Sequence, residues 1–388
     1  MRHAAILASA TVLALGVGGL GLACVSAASS GFDSMDALGE ALFFDANLSK
    51  TRSQSCATCH DPAYAFADPR GAASIGDDGA SLGDRNAPTV SYAAHVPELA
   101  RDEDGRWRGG LFHDGRAVTL EEQAGGPPLN PAEMGMGDKS EVVARLRENP
   151  DYVAAFGALF GPGTLDDPEA GYAAMTHAIA EFERRPEFAP FDSKYDRFLR
   201  GEAELTKQEE LGRLLFFSQQ FTNCNQCHQL RRSAVDPAET FSDYRFHNLG
   251  VPANSALRGS NGSEDGFIDG GLLQNAHLTE DGGPADETLR GAFRTPTLRN
   301  VAVTAPYMHN GVFEDLRTVI LFYNSYNTRN EARKINPETG APFGPPEVAE
   351  NLAPELTDGP ALDDKRVDAL VAFLKTLTDA RYEDLLED

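Results

Sequence analysis

Two short clusters hold most of the residues able to do redox or metal chemistry: Cys56-Ala57-Thr58-Cys59-His60 and Cys224-Asn225-Gln226-Cys227-His228. Four of the five cysteines lie in them, and Cys24 stands apart near the N-terminus. In an exported chain, four cysteines would ordinarily pair as two disulfides, and zinc could also use two such clusters. The histidine directly after each C-x-x-C points elsewhere. Cysteines at this separation suit two thioethers to the vinyl groups of one haem, and the adjacent imidazole can turn onto the iron. The chain is therefore expected to carry two covalently bound haem c groups, attached through Cys56, Cys59, Cys224 and Cys227. His60 and His228 would be the iron ligands.

The elements around these clusters repeat as well. Leu38-Gly-Glu-Ala-Leu-Phe-Phe44 precedes the first, and Leu211-Gly-Arg-Leu-Leu-Phe-Phe217 precedes the second. Each reads as the end of an apolar helix leading into a haem segment, and Thr206-Lys-Gln-Glu209 has capping-box spacing for the second helix. Met175, Ile179 and Phe182 share one helical face, and Val367, Leu370, Val371, Leu374 and Leu377 form another stripe. No long alternating strand pattern appears, and Gly/Pro/Asp-rich loops occupy 69–88, 250–287 and 336–362. The expected fold is mostly α, with two cytochrome c-like haem domains and long irregular loops. The boundaries fall at 28–190 and 191–388, with the seam near 184–202.

Residues 1–27 read as a secretory signal peptide: a basic start, a run of small apolar residues, and Val25-Ser26-Ala27 at the cleavage end. Cys24 offers a lesser alternative, a lipid anchor. The mature chain is expected in the periplasm, with no membrane span after signal removal. A net charge of −25 makes nucleic acid a poor partner and a basic protein a favoured one.

The chain resembles the bacterial di-haem cytochrome c peroxidases and MauG. The likeness rests on LGEALFFDANLS…SCATCHDP, RNAPTV, DGRA…LEEQA…GP…NPAEMG, the second CNQCH and RTPTLRNVAVTAPYMHNG. It implies that Glu133 is the distal base that takes a proton from peroxide and returns it to the leaving oxygen, with Gln123 and Pro127 lining the same pocket. From the residues alone, Asn130-Pro-Ala-Glu133 reads equally as the first turn of a helix. The likeness further implies a calcium ion held by Asn86 and by the carbonyls of Thr304 and Pro306. Some relatives block the first iron with a histidine from the following loop. Here no histidine lies between His60 and His95, so the first iron is expected to stay open.

For the second iron, Met308 is the tempting sixth ligand. Alignment with the family places that ligand at Tyr323 instead, fourteen residues after His309. Leu316, Val319, Ile320 and Tyr323 share one helical face, and a hydrogen-bonded core tyrosine is the other reading of the same residue. One departure concerns the stretch Phe112-His113-Asp114-Gly115-Arg116, where many relatives have tryptophan at the position of His113. The sole tryptophan, Trp107, lies six residues earlier, leaving His113 either to mediate electron transfer or to fill space. His95, His177, His247 and His277 have no ligand-like spacing.

The expected activity is periplasmic reduction of hydrogen peroxide with electrons from a small redox protein, a cytochrome c or a cupredoxin. The alternative is a MauG-like oxidase whose peroxide-derived high-valent iron modifies a partner protein. A plain electron carrier with two closed haems is the non-enzymatic reading.

Overall fold

Helix α1, Met35–Phe43, starts at Ser34, whose side chain accepts from Ala37 N–H, and buries Leu38, Leu42 and Phe43. In chain order there follow α2 (Cys56–Cys59), α3 (Leu120–Ala124), α4 (Lys139–Arg147), α5 (Pro150–Leu159), α6 (Pro168–Glu183), α7 (Lys194–Leu199), α8 (Lys207–Phe216), α9 (Cys224–Cys227), α10 (Ser255–Ser260), α11 (Leu316–Ser325) and α12 (Asp364–Lys375). The computed structural model describes residues 31–230, 235–278 and 286–386. The signal-peptide expectation and Cys24 lie outside the described residues.

The sequence repeat reappears as a packing repeat. α1 crosses α6, and α8 crosses α12. A Cβ at Gly39 would sit 1.8 Å from Ala178 O, and one at Gly212 would sit 1.9 Å from Ala369 O. Only glycine lets the two backbones of each pair approach this closely. Four residues further along the partner helix, Phe182 and Phe373 lie against the same two glycines. The capping box at Thr206–Glu209 forms as the spacing suggests.

Each crossing centres a core. One cluster gathers Leu38, Leu42, Phe43, Phe156, Met175, Ile179, Phe182 and Phe188. The other gathers Tyr195, Leu215, Phe216, Phe241, Leu370, Phe373, Leu374 and Leu377. Of the C-terminal stripe, Val371 is only half-buried; the wall position is taken by Phe373. Apart from isolated bridges, the strands among the described residues form two short antiparallel pairs. They are β1 (Ala100–Arg101) with β2 (Trp107–Arg108), and β3 (Phe246–His247) with β4 (Phe293–Arg294). The structure is thus mostly helical, with long irregular connections.

Buried polar contacts join the two cores. Arg85 pairs with Asp114 at 2.6 Å and, through two nitrogens, with Asp269 at 2.7 Å. Tyr92 donates to Asp379 at 2.6 Å, and Asn300 donates to the same carboxylate at 2.8 Å. Arg299, 1% exposed, makes a two-pronged pair with Asp196 and faces the rings of Tyr92, Phe191 and Phe241.

Candidate functional site

The two C-x-x-C-H segments adopt the same local geometry. α2 and α9 are single helical turns, and the following histidine closes each one. His60 N–H donates to Cys56 O and His228 N–H to Cys224 O, both at 2.9 Å. His60 Nδ1 lies 3.2 Å from Phe66 O, and His228 Nδ1 lies 3.1 Å from Phe241 O. A carbonyl partner takes the Nδ1 proton and leaves the lone pair on Nε2, the form a metal-ligating imidazole needs. Burial lowers the pKa of both rings, against the pull of those carbonyls, and keeps them neutral.

Both carbonyls come from phenylalanines in left-handed backbone, φ 55° at Phe66 and 56° at Phe241. That conformation costs a bulky residue on the order of 1 kcal/mol or more, so packing must hold it. Phe66 lies 4.5 Å from Phe188, and Phe241 is boxed by Tyr195, Phe216 and Phe373. Sequence reasoning missed both residues. They sit six and thirteen positions after their histidines, so no common spacing marks them.

The four cysteines form no disulfide. Burial pushes the Cys56 thiol up to about 12 and raises Cys59 and Cys224 too. Such surroundings suit a neutral sulfur, not a reactive thiolate.

Both clusters open onto one cavity of about 790 Å³. His60 and His228 line it, as do Cys59, Cys224 and Cys227. Gln123, Pro127, Glu133 and His113 join the wall from the first half, and Met308 and Tyr323 from the second. Asn86, Thr304 and Pro306 lie along it as well. Glu133 accepts a 2.7 Å hydrogen bond from Asn130 Nδ2 through Oε1. Burial raises its carboxyl pKa, opposed by that bond and by the charge of Arg116. Residues 131–134 form a turn that does not continue into a helix, and α4 begins only at Lys139. Gly135, at φ 68°, folds its N–H back to Asn130 O and ends any helical start. The helix-start reading of NPAE is therefore not met, which leaves Glu133 facing the cavity.

Tyr323 lies on α11. Burial raises its phenol well above the usual range, and the Cys227 and Cys224 sulfurs are the next influences. No hydrogen bond to its hydroxyl is present among the described residues, in contrast to Tyr92, Tyr172 and Tyr326. The core-tyrosine reading lacks its partner. Met308 reaches the same wall from left-handed backbone, φ 70°.

Between the clusters, His113 Nε2 lies 3.0 Å from Asn86 O, and Asn86 N–H donates to His309 O at 2.8 Å. Burial, with Arg85 and Arg294 adding to it, takes His113 down to about 4, so the ring is neutral. His309 stacks on Phe293 at 3.6 Å and 11°, and Arg85 lies 5.4 Å from the same phenylalanine. His247, set aside on spacing, comes within reach of Cys227 and Asp243. Burial opposes its protonation, but Asp243 and Cys227 outweigh that and raise it to about 10. A thioether at Cys227 would remove the sulfur's share. The three remaining histidines without ligand-like spacing stay peripheral: His95 packs edge-on against Phe191, His177 faces Glu121 and His277 faces Glu122.

The cavity's polar inventory also fits haem. Arg294 is partly buried on its wall, and its Nε is inaccessible to solvent and has no protein partner. Burial takes its guanidinium down to about 10, with only partial relief from Tyr244 and Asp114. Such a cation calls for an anion inside the cavity, and haem propionates are anions. Two neutral imidazoles, two cysteine pairs and an under-compensated arginine match two haems better than they match water.

Residues 33–204 match the family model described as di-haem cytochrome c peroxidase. The chain is 54% identical over 362 residues to methylamine utilization protein MauG of Paracoccus denitrificans, covering 92% of this chain and 91% of that one. The chain belongs to the di-haem cytochrome c peroxidase family. Cytochrome c peroxidase Ccp of Escherichia coli is 34% identical over 276 residues, 71% of this chain and half of that protein. Among solved structures, the diheme peroxidase BthA of Burkholderia thailandensis superposes with a TM-score of 0.79 at 34% identity. That match covers 91% of this chain and 88% of BthA. Membership makes the chain an oxidoreductase of the haem peroxidase type, with two haems. No helix among the described residues is long and apolar enough to cross a membrane.

Proposed function

We propose that the chain is a periplasmic di-haem c peroxidase reducing hydrogen peroxide with electrons from a small redox protein, a cytochrome c or a cupredoxin. In this reading residues 28–190 and 191–388 are two cytochrome c-like domains. Haem c is bound covalently at Cys56/Cys59 and Cys224/Cys227, and export depends on residues 1–27. The observation that carries it is a buried carboxyl, Glu133, on the wall of the cavity that His60 also lines. When bound, haem supplies the redox centre and the metal on which peroxide is polarised.

The chain's own groups do the remaining work. His60 Nε2, aimed by Phe66 O, would hold the first iron, and the Glu133 wall of the cavity would be left to substrate. Glu133 would take the proton from one peroxide oxygen and return it to the other, which leaves as water; the remaining oxygen becomes the second water with two protons and the two electrons that the redox protein supplies. Gln123 and Pro127 shape the space beside it. His228 and Tyr323 would both be offered to the second iron, and that site would serve as the store of an electron. Asn86 Oδ1 and the carbonyl oxygens of Thr304 and Pro306 are the hard donors offered to calcium. The Asn86 carbonyl is engaged by His113, which leaves its side-chain oxygen for the ion.

A second reading, a MauG-like oxidase acting on a partner protein, is favoured by Tyr323. A phenolate ligand stabilises oxidised iron more than a thioether does, so the oxidising equivalents would persist until a protein donor docks. His113 sets a limit on the analogy, since many relatives have tryptophan there. Replacing Glu133 with Gln tests the shared chemistry. Peroxide turnover should fall roughly 10²–10⁴-fold while both haem spectra remain; unchanged turnover would remove Glu133 from the reaction. Adding reduced cytochrome c and then candidate proteins to peroxide-treated enzyme separates the two readings.

A further inference from the structure

A second, smaller cavity of about 230 Å³ adjoins the first. It is lined by Phe112, Arg116, Ala117, Glu122, Gly126, Asn130 and Glu133. Four of these, Phe112, Arg116, Asn130 and Glu133, also line the large cavity. These four residues therefore stand at the boundary between the two spaces, Glu133 among them. On the outer side stand Arg116, 41% exposed, and Glu122, 45% exposed. Arg116 is held rather than waving: Nη1 donates to Asp114 Oδ1 at 2.9 Å, and its guanidinium carbon lies 3.6 Å from the Phe112 ring centroid. Asp114 is itself fixed by Arg85.

We infer that this smaller cavity is the entry passage for hydrogen peroxide, and that Arg116 on Phe112 is the gate that sets the size of hydroperoxide admitted. The inference rests on the reading of Glu133 as the peroxide base and adds its route. Hydrogen peroxide has two heavy atoms and needs little more room than a water, about 30 Å³ each, so it fits the passage with space to turn. An alkyl hydroperoxide must displace the stacked Arg116–Phe112 pair. The route delivers substrate past Asn130, whose amide already holds one oxygen of Glu133, so peroxide meets the base on entry. Arg116 is a positioning residue here. Its charge also draws the Glu133 carboxyl toward its ionised form.

Two variants of the haem-loaded protein test this in opposite directions. Gly126 has helical backbone, φ −79° and ψ −60°, and a Cβ there would meet Phe112 Cζ at 3.3 Å. Gly126→Val should therefore narrow the passage. Arg116→Ala removes a half-exposed side chain and should widen it. The readouts are stopped-flow cyanide binding to the ferric protein, and its reaction with hydrogen peroxide and with tert-butyl hydroperoxide.

Narrowing the passage should lower the cyanide on-rate and off-rate together, roughly tenfold, with Kd within twofold of the parent. Widening it should raise the tert-butyl hydroperoxide rate at least tenfold, and the hydrogen peroxide rate much less. Unchanged cyanide rates in Gly126→Val, or a change in Kd carried by one rate alone, would overturn the passage. Unchanged selectivity in Arg116→Ala would overturn the gate, and that variant stays informative should Gly126→Val fail to fold. Failure of the parent to bind cyanide at all would instead defeat the open-site reading beneath.

Discussion

In the proposed function single side chains decide what the cavity can do, and Glu133 and Tyr323 decide most. Burial raises the Glu133 pKa, so its base form is lost at a higher pH than for an exposed glutamate. The rate of reaction with peroxide should therefore fall as pH drops through that raised pKa. Arg116→Ala, which removes a charge favouring ionisation, should move the acid limb to higher pH; a limb that stays put would show that the two groups are not coupled. At the second site, Tyr323→Phe should convert its ferric spectrum from low to high spin. Tyr323→Met should keep it low spin and raise its reduction potential on the order of 100 mV. Identical spectra in all three proteins would remove Tyr323 from the iron. That the C-x-x-C-H clusters and Glu133 meet at one cavity could be anticipated from the sequence, because covalent and acid–base chemistry restrict residue type. Phe66 and Phe241 could not be, because their contribution is a backbone carbonyl, which every residue has. His247 escaped for another reason: β3 brings it to Cys227 across twenty positions, and local spacing carries no such information.

Helix crossings hold the two cores, and here the sequence was most open. Apolar stripes at 3.6-residue spacing showed where α6, α11 and α12 would lie, and the LG-x-x-LFF repeat showed that two units share one plan. The meaning of its glycine emerges only from the crossing. Gly39→Ala and Gly212→Ala should each force a helix pair apart and cost about 1–3 kcal/mol or more, read from denaturant midpoints. A neutral result at either site would mean that the pair re-seats at little cost. Inside the first of these pairs, α6 carries Glu183, only 4% exposed, and burial raises its carboxyl pKa to about 8, with the Arg184 charge opposing and Glu121 adding to it. The folded state then keeps a proton that the unfolded chain releases near the ordinary carboxyl value. This contribution is complete below that value and is lost as pH rises toward 8. Glu183→Gln should accordingly be more stable than the parent at pH 8 and little different at pH 4. Equal stability at both pH values would show that Glu183 is solvated.

Across the whole molecule, the two halves act as one because their cavities are one and because ions bridge them. No sequence pattern marks Arg85 as the bridge: its carboxylate partners are 29 and 184 residues away. Arg85→Leu would leave Asp269 buried without its cation and Asp114 with Arg116 alone, at a cost of roughly 3–5 kcal/mol. Unfolding of the two halves should then separate in denaturant, whereas a single shared transition would assign their coupling to apolar contacts. Burial would raise the Asp269 carboxyl, but Arg85 holds it down to about 2, so the bridge should persist through the neutral and mildly acidic range. The proposed function rests on one asymmetry, an open site beneath Glu133 and a closed one between His228 and Tyr323. Electron paramagnetic resonance of the ferric haem-loaded protein, before and after one equivalent of hydrogen peroxide, tests it most directly. One high-spin and one low-spin signal, both altered by peroxide within the mixing time, is the result expected. Two low-spin signals untouched by peroxide would contradict it.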